Sequence, residues 1–292
     1  MIVSASRRTD LPAFYSEWFM NRIRAGSCLV PNPFNRAQVS RVSLAPEDVD
    51  VIVFWTRNPR PLLPHLPELD ARGHRYCFLV TLMANPREID PGVPSFEAAV
   101  AAFSALSDRI GPERVVWRYD PVFLTNISGP AFHIETFGRI ASALRGRTKR
   151  SIVSVMHPYR KLRGRMAELA ARGIDPVPAG ENTLSSLMGS LAEISSENGM
   201  EIQSCADDRD LQRYGIQPGK CVDDALLWRA FGLKVDASKD PCQRRPCGCV
   251  PSKDIGMYDS CLFGCVYCYA VTSFDRAAAN HRLHDPGSES LL

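Results

Sequence analysis

Short runs of apolar, β-branched or aromatic residues recur along the chain. They lie at Ile2-Val3-Ser4-Ala5, Val51-Ile52-Val53-Phe54-Trp55, Cys77-Phe78-Leu79-Val80, Val115-Val116-Trp117, Ser151-Ile152-Val153-Ser154-Val155 and Glu201-Ile202-Gln203-Ser204. Runs this short, bounded by turn residues, predict buried strands. The stretches between them carry helical spacing instead. Leu11, Phe14, Tyr15, Trp18, Phe19 and Ile23 fall on one helical face, with Asp10 placed to cap its start and Gly26 to stop it. Phe96, Val100, Phe103 and Ile110 form a second stripe behind Ser95, and Leu184, Leu187, Met188, Leu191 and Ile194 a third behind Thr183, ending near Gly199.

Strand and helix thus alternate, the pattern of parallel strands joined by right-handed helical crossovers. The expected class is α/β, a partial or closed (β/α) barrel of parallel strands over residues 1–292 as one domain, with a doubly wound open sheet as the alternative. The barrel is preferred because Ser6-Arg7-Arg8-Thr9-Asp10, not a glycine-rich dinucleotide fingerprint, follows the first strand. No internal repeat is visible. The one composition shift is a Pro/Gly/Arg/Cys segment over roughly 218–251.

Composition sharpens the picture only through cysteine. A net charge of +3 on 292 residues, with dispersed arginines, points neither toward nor away from nucleic acid. No apolar run reaches the roughly 18 residues of a membrane span, and Met1-Ile2-Val3-Ser4-Ala5 lacks the pattern of a signal peptide, so a cytoplasmic location is expected. In a reducing compartment clustered cysteines are metal-binding or catalytic more often than disulfide-bonded. Of the ten cysteines, Cys28 and Cys77 stand apart as expected core residues, whereas eight crowd between Cys205 and Cys268.

Within that crowd, Cys261, Cys265 and Cys268 have the spacing Cys-x3-Cys-x2-Cys. Three thiolates on one compact loop can hold three corners of a 4Fe-4S cubane and leave the fourth iron open, the arrangement of a catalytic rather than a structural cluster. A zinc site completed by a fourth ligand such as Cys249 is the alternative. The motif and its tail, Cys265-Val266-Tyr267-Cys268-Tyr269-Ala270, resemble the signature of the radical S-adenosylmethionine superfamily, particularly its spore photoproduct lyase-like branch. From Ser4 to Tyr258 and the loop beyond, the chain also resembles an uncharacterised bacterial family, a domain of unknown function with a C-terminal radical-SAM-like cysteine cluster.

In the superfamily the motif follows the first barrel strand, whereas here it is near the C-terminus. The resemblance therefore implies circular permutation: Asp254 to Tyr258 as the usual first strand beside Ile2 to Ala5, then the loop, with 252–275 as the cluster strand and loop. Four segments match the lyase branch in the rotated order: Thr9-Asp10, Thr56-Arg57-Asn58, Asp90 to Ser95, and Arg118-Tyr119-Asp120-Pro121. The implied activity is reductive cleavage of S-adenosylmethionine to a 5'-deoxyadenosyl radical that abstracts hydrogen from a small-molecule or peptide substrate. A flavodoxin or ferredoxin would supply the electron.

By the same resemblance Arg57 would pair the methionine carboxylate, Thr81 would bond a ribose or carboxylate group, and Tyr267 would lie along the adenine. Arg7, Thr9 and Asp10 are candidate cofactor contacts at the end of the first strand, Asp10 having the helix cap as its other role. Arg118 and Asp120 are expected to pair at a strand end, for structure or for substrate, and His157 is a candidate acid or base that Pro158 would instead place in an ordinary turn. Segment 205–251 is expected to hold a second metal centre at Cys205, Cys221, Cys247 and Cys249: a second 4Fe-4S cluster, with zinc as its rival and Cys242 as a substitute ligand. A non-catalytic redox or metal protein and a nucleic-acid-modifying radical enzyme are the competing functions. The basic groups Arg145 to Arg150 and Arg160 to Arg165 are expected on the solvated surface.

Overall fold

The computed structural model describes residues 1–35, 37–157 and 159–292; the turn expected at Pro158 lies outside them. The first half runs β1 Ile2–Ala5, α1 Leu11–Phe14, α2 Ser16–Ala25, β2 Ser27–Pro31, β3 Val39–Ser43, β4 Val51–Thr56, α3 Leu66–Ala71, β5 Tyr76–Thr81, α4 Phe96–Ile110, β6 Val115–Val122 and α5 Pro130–Ala143. The remainder is β7 Arg150–Val155, α6 Arg163–Ala171, α7 Glu181–Glu197, β8 Glu201–Cys205, β9 Gln217–Gly219, α8 Asp224–Phe231, β10 Lys253–Asp254 and α9 Phe274–Arg282. Among the described residues no helix is long and apolar enough to cross a membrane.

An eight-stranded sheet has the order β10-β1-β4-β5-β6-β7-β8-β9, and β2 and β3 form a separate antiparallel pair. The α/β class expected from the alternation holds. Closure into a barrel does not occur among the described residues, because β10 and β9 are end strands of the sheet.

The chain divides into two compact units, 1–79 with 252–264 and 270–292, and 80–251 with 265–269. In the first, β1 pairs in parallel with β4 and with β10, where Val3 faces Lys253 and Ser4 faces Asp254. The expected strand beside β1 is therefore present but shorter than Asp254 to Tyr258. Past its end the Ile255 N–H still donates to the Ser4 carbonyl (3.1 Å), and the Asp254 carboxylate takes the Gly256 N–H (3.0 Å). Phe19 meets Phe54 edge-on and Phe54 stacks on Phe78 in this core, with centroids 5.2 and 4.7 Å apart, and each is fully buried. Burying a side chain of that size stabilises by about 1.5–3 kcal/mol.

The helical stripe from Leu11 to Ile23 is broken at Tyr15, whose backbone (φ −137°) separates α1 from α2. Asp10 caps the first piece and left-handed Gly26 (φ 72°) ends the second, as their positions suggested.

In the second unit β6, β7, β8 and β9 pair in parallel. Trp117 packs on Phe137 of α5 at 4.5 Å, and its indole N–H donates to the Leu82 carbonyl (3.0 Å). Ser95 caps α4 through the Ala98 N–H. Helix α7 starts at Glu181 behind Gly180 rather than at Thr183, because a Gly there takes the extended backbone that an N-cap needs.

Candidate functional site

The C-terminal ends of parallel strands are where α/β proteins place ligand-binding groups, since loops there are free to vary around a fixed sheet. In the first unit the segment after β1 is organised by one carboxylate. Asp254 accepts from Ser4 Oγ (3.1 Å), Ser6 Oγ (2.7 Å) and the Arg7 N–H (2.7 Å). Gly256 is required beside it: a Cβ at that position would lie 2.1 Å from Ser6 Oγ. Arg7 reaches Ser252 and lies over Trp55, and Arg8 lies over Tyr258. Thr9 Oγ1 is buried and has no hydrogen-bond partner among the described residues.

Asp10 is both the helix cap and a tie to the next strand end. One oxygen accepts the Ala13 N–H (3.0 Å) and the other the Arg57 N–H (2.6 Å). Burial pushes its carboxyl up to about 7, against the lowering effect of those N–H groups. Asp10 thus fixes the backbone of Arg57, the residue expected to bind a carboxylate.

In the second unit Thr81 is the half-buried last residue of β5. Arg118 and Asp120 form the expected ion pair on β6, and Ser154 at the end of β7 donates to the same carboxylate. His157 is exposed and stands edge-on to Tyr159 at 4.9 Å. Tyr267 is buried. Its hydroxyl donates to Asp90 (2.7 Å), Asn85 donates to that same carboxylate (2.8 Å), and its ring stands against Phe123. This packing anchors residues 265–269 and leaves the tyrosine only 7% exposed.

The three-cysteine loop is tied down within each unit in turn. In the first, left-handed Asp259 (φ 56°) donates its N–H to the Ala270 carbonyl (3.0 Å), and its carboxylate accepts the Thr272 hydroxyl. Tyr15 donates to the Ser260 carbonyl (2.7 Å) and Phe263 packs on Phe14. In the second, the Val266 N–H donates to the Ile89 carbonyl, and Arg165 donates to the carbonyls of Cys265, Val266 and Cys268 (3.4, 3.3 and 2.9 Å). Gly264 takes a left-handed turn (φ 69°) inside the motif. Cys261 and Cys268 are partly exposed while Cys265 is buried. By donor chemistry alone, three thiols at this sequence spacing suit an iron-sulfur cluster.

Two of the basic residues expected at the surface have inward roles. Arg165 braces the loop, and Arg150 is buried between Asp223 (2.5 Å) and Glu201. Sequence periodicity could not separate these from their exposed neighbours, since burial of an arginine depends on partners remote in the chain.

Cys205, Cys221, Cys247 and Cys249 gather from the end of β8, the turn after β9 and the loop before β10. Cys205 and Cys221 have sulfurs 3.3 Å apart. Cys249 neighbours Cys221 and Cys247, and its sulfur accepts the Val222 N–H (3.3 Å). Among the described residues no group of three or more His, Cys, Asp or Glu side chains has the geometry of a metal site. Cys242 is exposed.

Sequence reading missed Tyr119 and His133, a buried pair bonded at 2.7 Å, with the imidazole held down to about 4 by burial. His133 lies on α5, which offered no clean stripe. The cavity of about 380 Å³ along α8, lined by Trp228 and Leu233, contains none of the candidate residues.

A family model described as a domain of unknown function, DUF1848, matches residues 2–270. The chain belongs to that family. The match ends at Ala270, just past the third cysteine of the loop, so the three-cysteine motif lies inside the family's own span. No curated protein matches the sequence.

Proposed function

We propose that this chain is a radical S-adenosylmethionine enzyme whose 4Fe-4S cluster is held by Cys261, Cys265 and Cys268. The observation that carries the reading is the contiguous Cys-x3-Cys-x2-Cys motif on a loop whose backbone is braced by Asp259, Arg165 and Ile89. When bound, the cluster with S-adenosylmethionine would supply reductive cleavage of the sulfonium and a 5'-deoxyadenosyl radical.

The chain's own residues would bind and orient. Arg57, with its backbone fixed by Asp10, suits the methionine carboxylate, because a guanidinium can bind it through two parallel N–H bonds. Thr9 Oγ1 is a buried hydroxyl able to bond a polar ligand atom, and Thr81 offers a second hydroxyl at a strand end. Arg7 would add positive charge near an anionic group. Tyr267 serves better as an anchor of the loop than as an open stacking face, given its bond to Asp90. Arg118 and Asp120 hold each other and Ser154, which suits positioning of a substrate more than proton transfer. His157, exposed just past β7, is the proposed acid or base. A small molecule or peptide is the proposed substrate class, with a flavodoxin or ferredoxin as reductant in the cytoplasm.

Anaerobic reconstitution, reduction with dithionite and quantification of 5'-deoxyadenosine test the reading. The parent protein is expected to form it from S-adenosylmethionine, and Cys261→Ala, Cys265→Ala and Cys268→Ala each to lose both iron and product. A fully loaded, reduced cluster that yields none would leave an electron carrier or structural cluster instead.

A further inference from the structure

Four cysteines far apart in sequence have been brought together in the second unit. Cys221, Cys247 and Cys249 are 5%, 8% and 2% exposed. Besides the 3.3 Å contact to Cys221, Cys205 lies within electrostatic range of Cys249 and Cys247. Cys249 in turn neighbours both Cys221 and Cys247. The four thus form one connected group in the order Cys205, Cys221, Cys249, Cys247.

Three further features suit ligated thiolates. The Val222 N–H aimed at Cys249 Sγ (3.3 Å) would stabilise negative sulfur, as second-shell donors do at metal sites. The guanidinium of Arg118 acts on both Cys205 and Cys221, and that of Arg244 acts on Cys205, which would offset the charge of several thiolates. Finally, the segment 232–252 between α8 and β10 contains no helix or strand. Segments of that length without secondary structure are uncommon in compact domains and are often functional.

The Cys205–Cys221 spacing favours a single ion over a cubane. In a tetrahedral site with metal–sulfur bonds of about 2.3 Å, neighbouring sulfurs stand about 3.8 Å apart. In a cubane each thiolate caps a different iron and the sulfurs spread wider. A 3.3 Å pair is close to the first arrangement. We propose that Cys205, Cys221, Cys247 and Cys249 bind one divalent ion of the zinc class in a tetrahedral thiolate site, and that this ion fixes the segment 232–252. This centre is independent of the cluster proposed at the three-cysteine loop, and its test does not require that cluster.

The probe is Co²⁺, which reports tetrahedral thiolate ligation through visible d–d and sulfur-to-metal charge-transfer bands. The full chain carrying Cys261→Ser, Cys265→Ser and Cys268→Ser is titrated anaerobically with Co²⁺, then with Zn²⁺. The expected result is tetrahedral bands saturating at one Co²⁺ per chain and abolished by one Zn²⁺. Zinc is also expected to slow proteolysis within 232–252 by about tenfold or more relative to chelator-treated protein. Adding Cys221→Ser to the same chain should remove the bands, and the titration of the unsubstituted four-cysteine set keeps the test valid should that variant fail to fold. Three results would overturn the proposal: no tetrahedral bands; about eight irons per parent chain falling to about four in the triple variant, which means a second cubane; or a Cys205–Cys221 disulfide with no retained metal. Failure of radical chemistry at the other loop would leave every one of these readouts unchanged.

Discussion

At the residue scale, two buried charges make opposite demands. Asp10 is raised to about 7 by burial, so the fold binds its proton more tightly than the unfolded chain does. The stability it contributes is full below about pH 4 and is lost as pH rises through about 7. Asp10→Asn cannot titrate. Its unfolding free energy relative to the parent should therefore improve by up to about 4 kcal/mol between pH 4 and pH 8. Urea unfolding at both pH values measures this, and a difference that does not change with pH rejects it. Arg150 is the contrasting case, because its buried guanidinium already has Asp223 as a partner. Asp223→Ala would leave that charge with Glu201 alone and remove the cap on α8, costing about 2–4 kcal/mol in thermal or chemical unfolding. Sequence alone identified Asp10 as a cap because the residues after it set a helical period. It could not identify Asp223 as the partner of Arg150, seventy-odd positions apart, because nothing local encodes that contact.

At the scale of elements, six strands and three helices were legible because each is a run whose period or apolarity is set by neighbours in sequence. The β2–β3 hairpin was not, since β3 buries only Val42 and reads as polar. Helix α5 was missed for a related reason: its buried face includes His133, which breaks the apolar stripe. The short strand β10 was legible only through the resemblance, and nothing local encodes the contact that crowds the residue after it, Gly256, against Ser6. That crowding makes Gly256 sensitive. Gly256→Ala sets a methyl against Ser6 and should destabilise by about 2 kcal/mol or more, read as a lower melting temperature. The cysteine loop has a comparable dependence on Asp259, which is 7% exposed and bonds both the backbone and hydroxyl of Thr272. Asp259→Ala should cost about 2–3 kcal/mol and lower iron retention after reconstitution, while leaving the three cysteines in place. Unchanged iron content would show that the brace is not needed to present the thiols.

For the whole molecule, alternating strands and helices fixed the α/β class, but they could not decide between an open sheet and a closed one, because closure depends on how end strands meet and not on any local period. The chemistry shows the same division. The Cys-x3-Cys-x2-Cys motif is local and could be read directly, whereas Arg165 on its carbonyls and the convergence of Cys205 with Cys221 arise only through folding. Binding linkage tests the cofactor reading at this scale. A ligand that binds only the folded, cluster-loaded protein raises its stability by about 2.7 kcal/mol at a hundredfold excess over its dissociation constant, which is several degrees in melting temperature for a chain of this size. S-adenosylmethionine is therefore expected to shift the melting temperature of the anaerobically reconstituted protein, with no shift in the Cys261→Ala variant. An electron carrier whose cluster has no open iron gives no shift in either. A shift that persists without Cys261 would mean that S-adenosylmethionine is held by groups such as Arg57 and Thr9 without help from iron, and only the amount of 5'-deoxyadenosine formed would then separate a radical enzyme from a protein that merely binds the nucleoside.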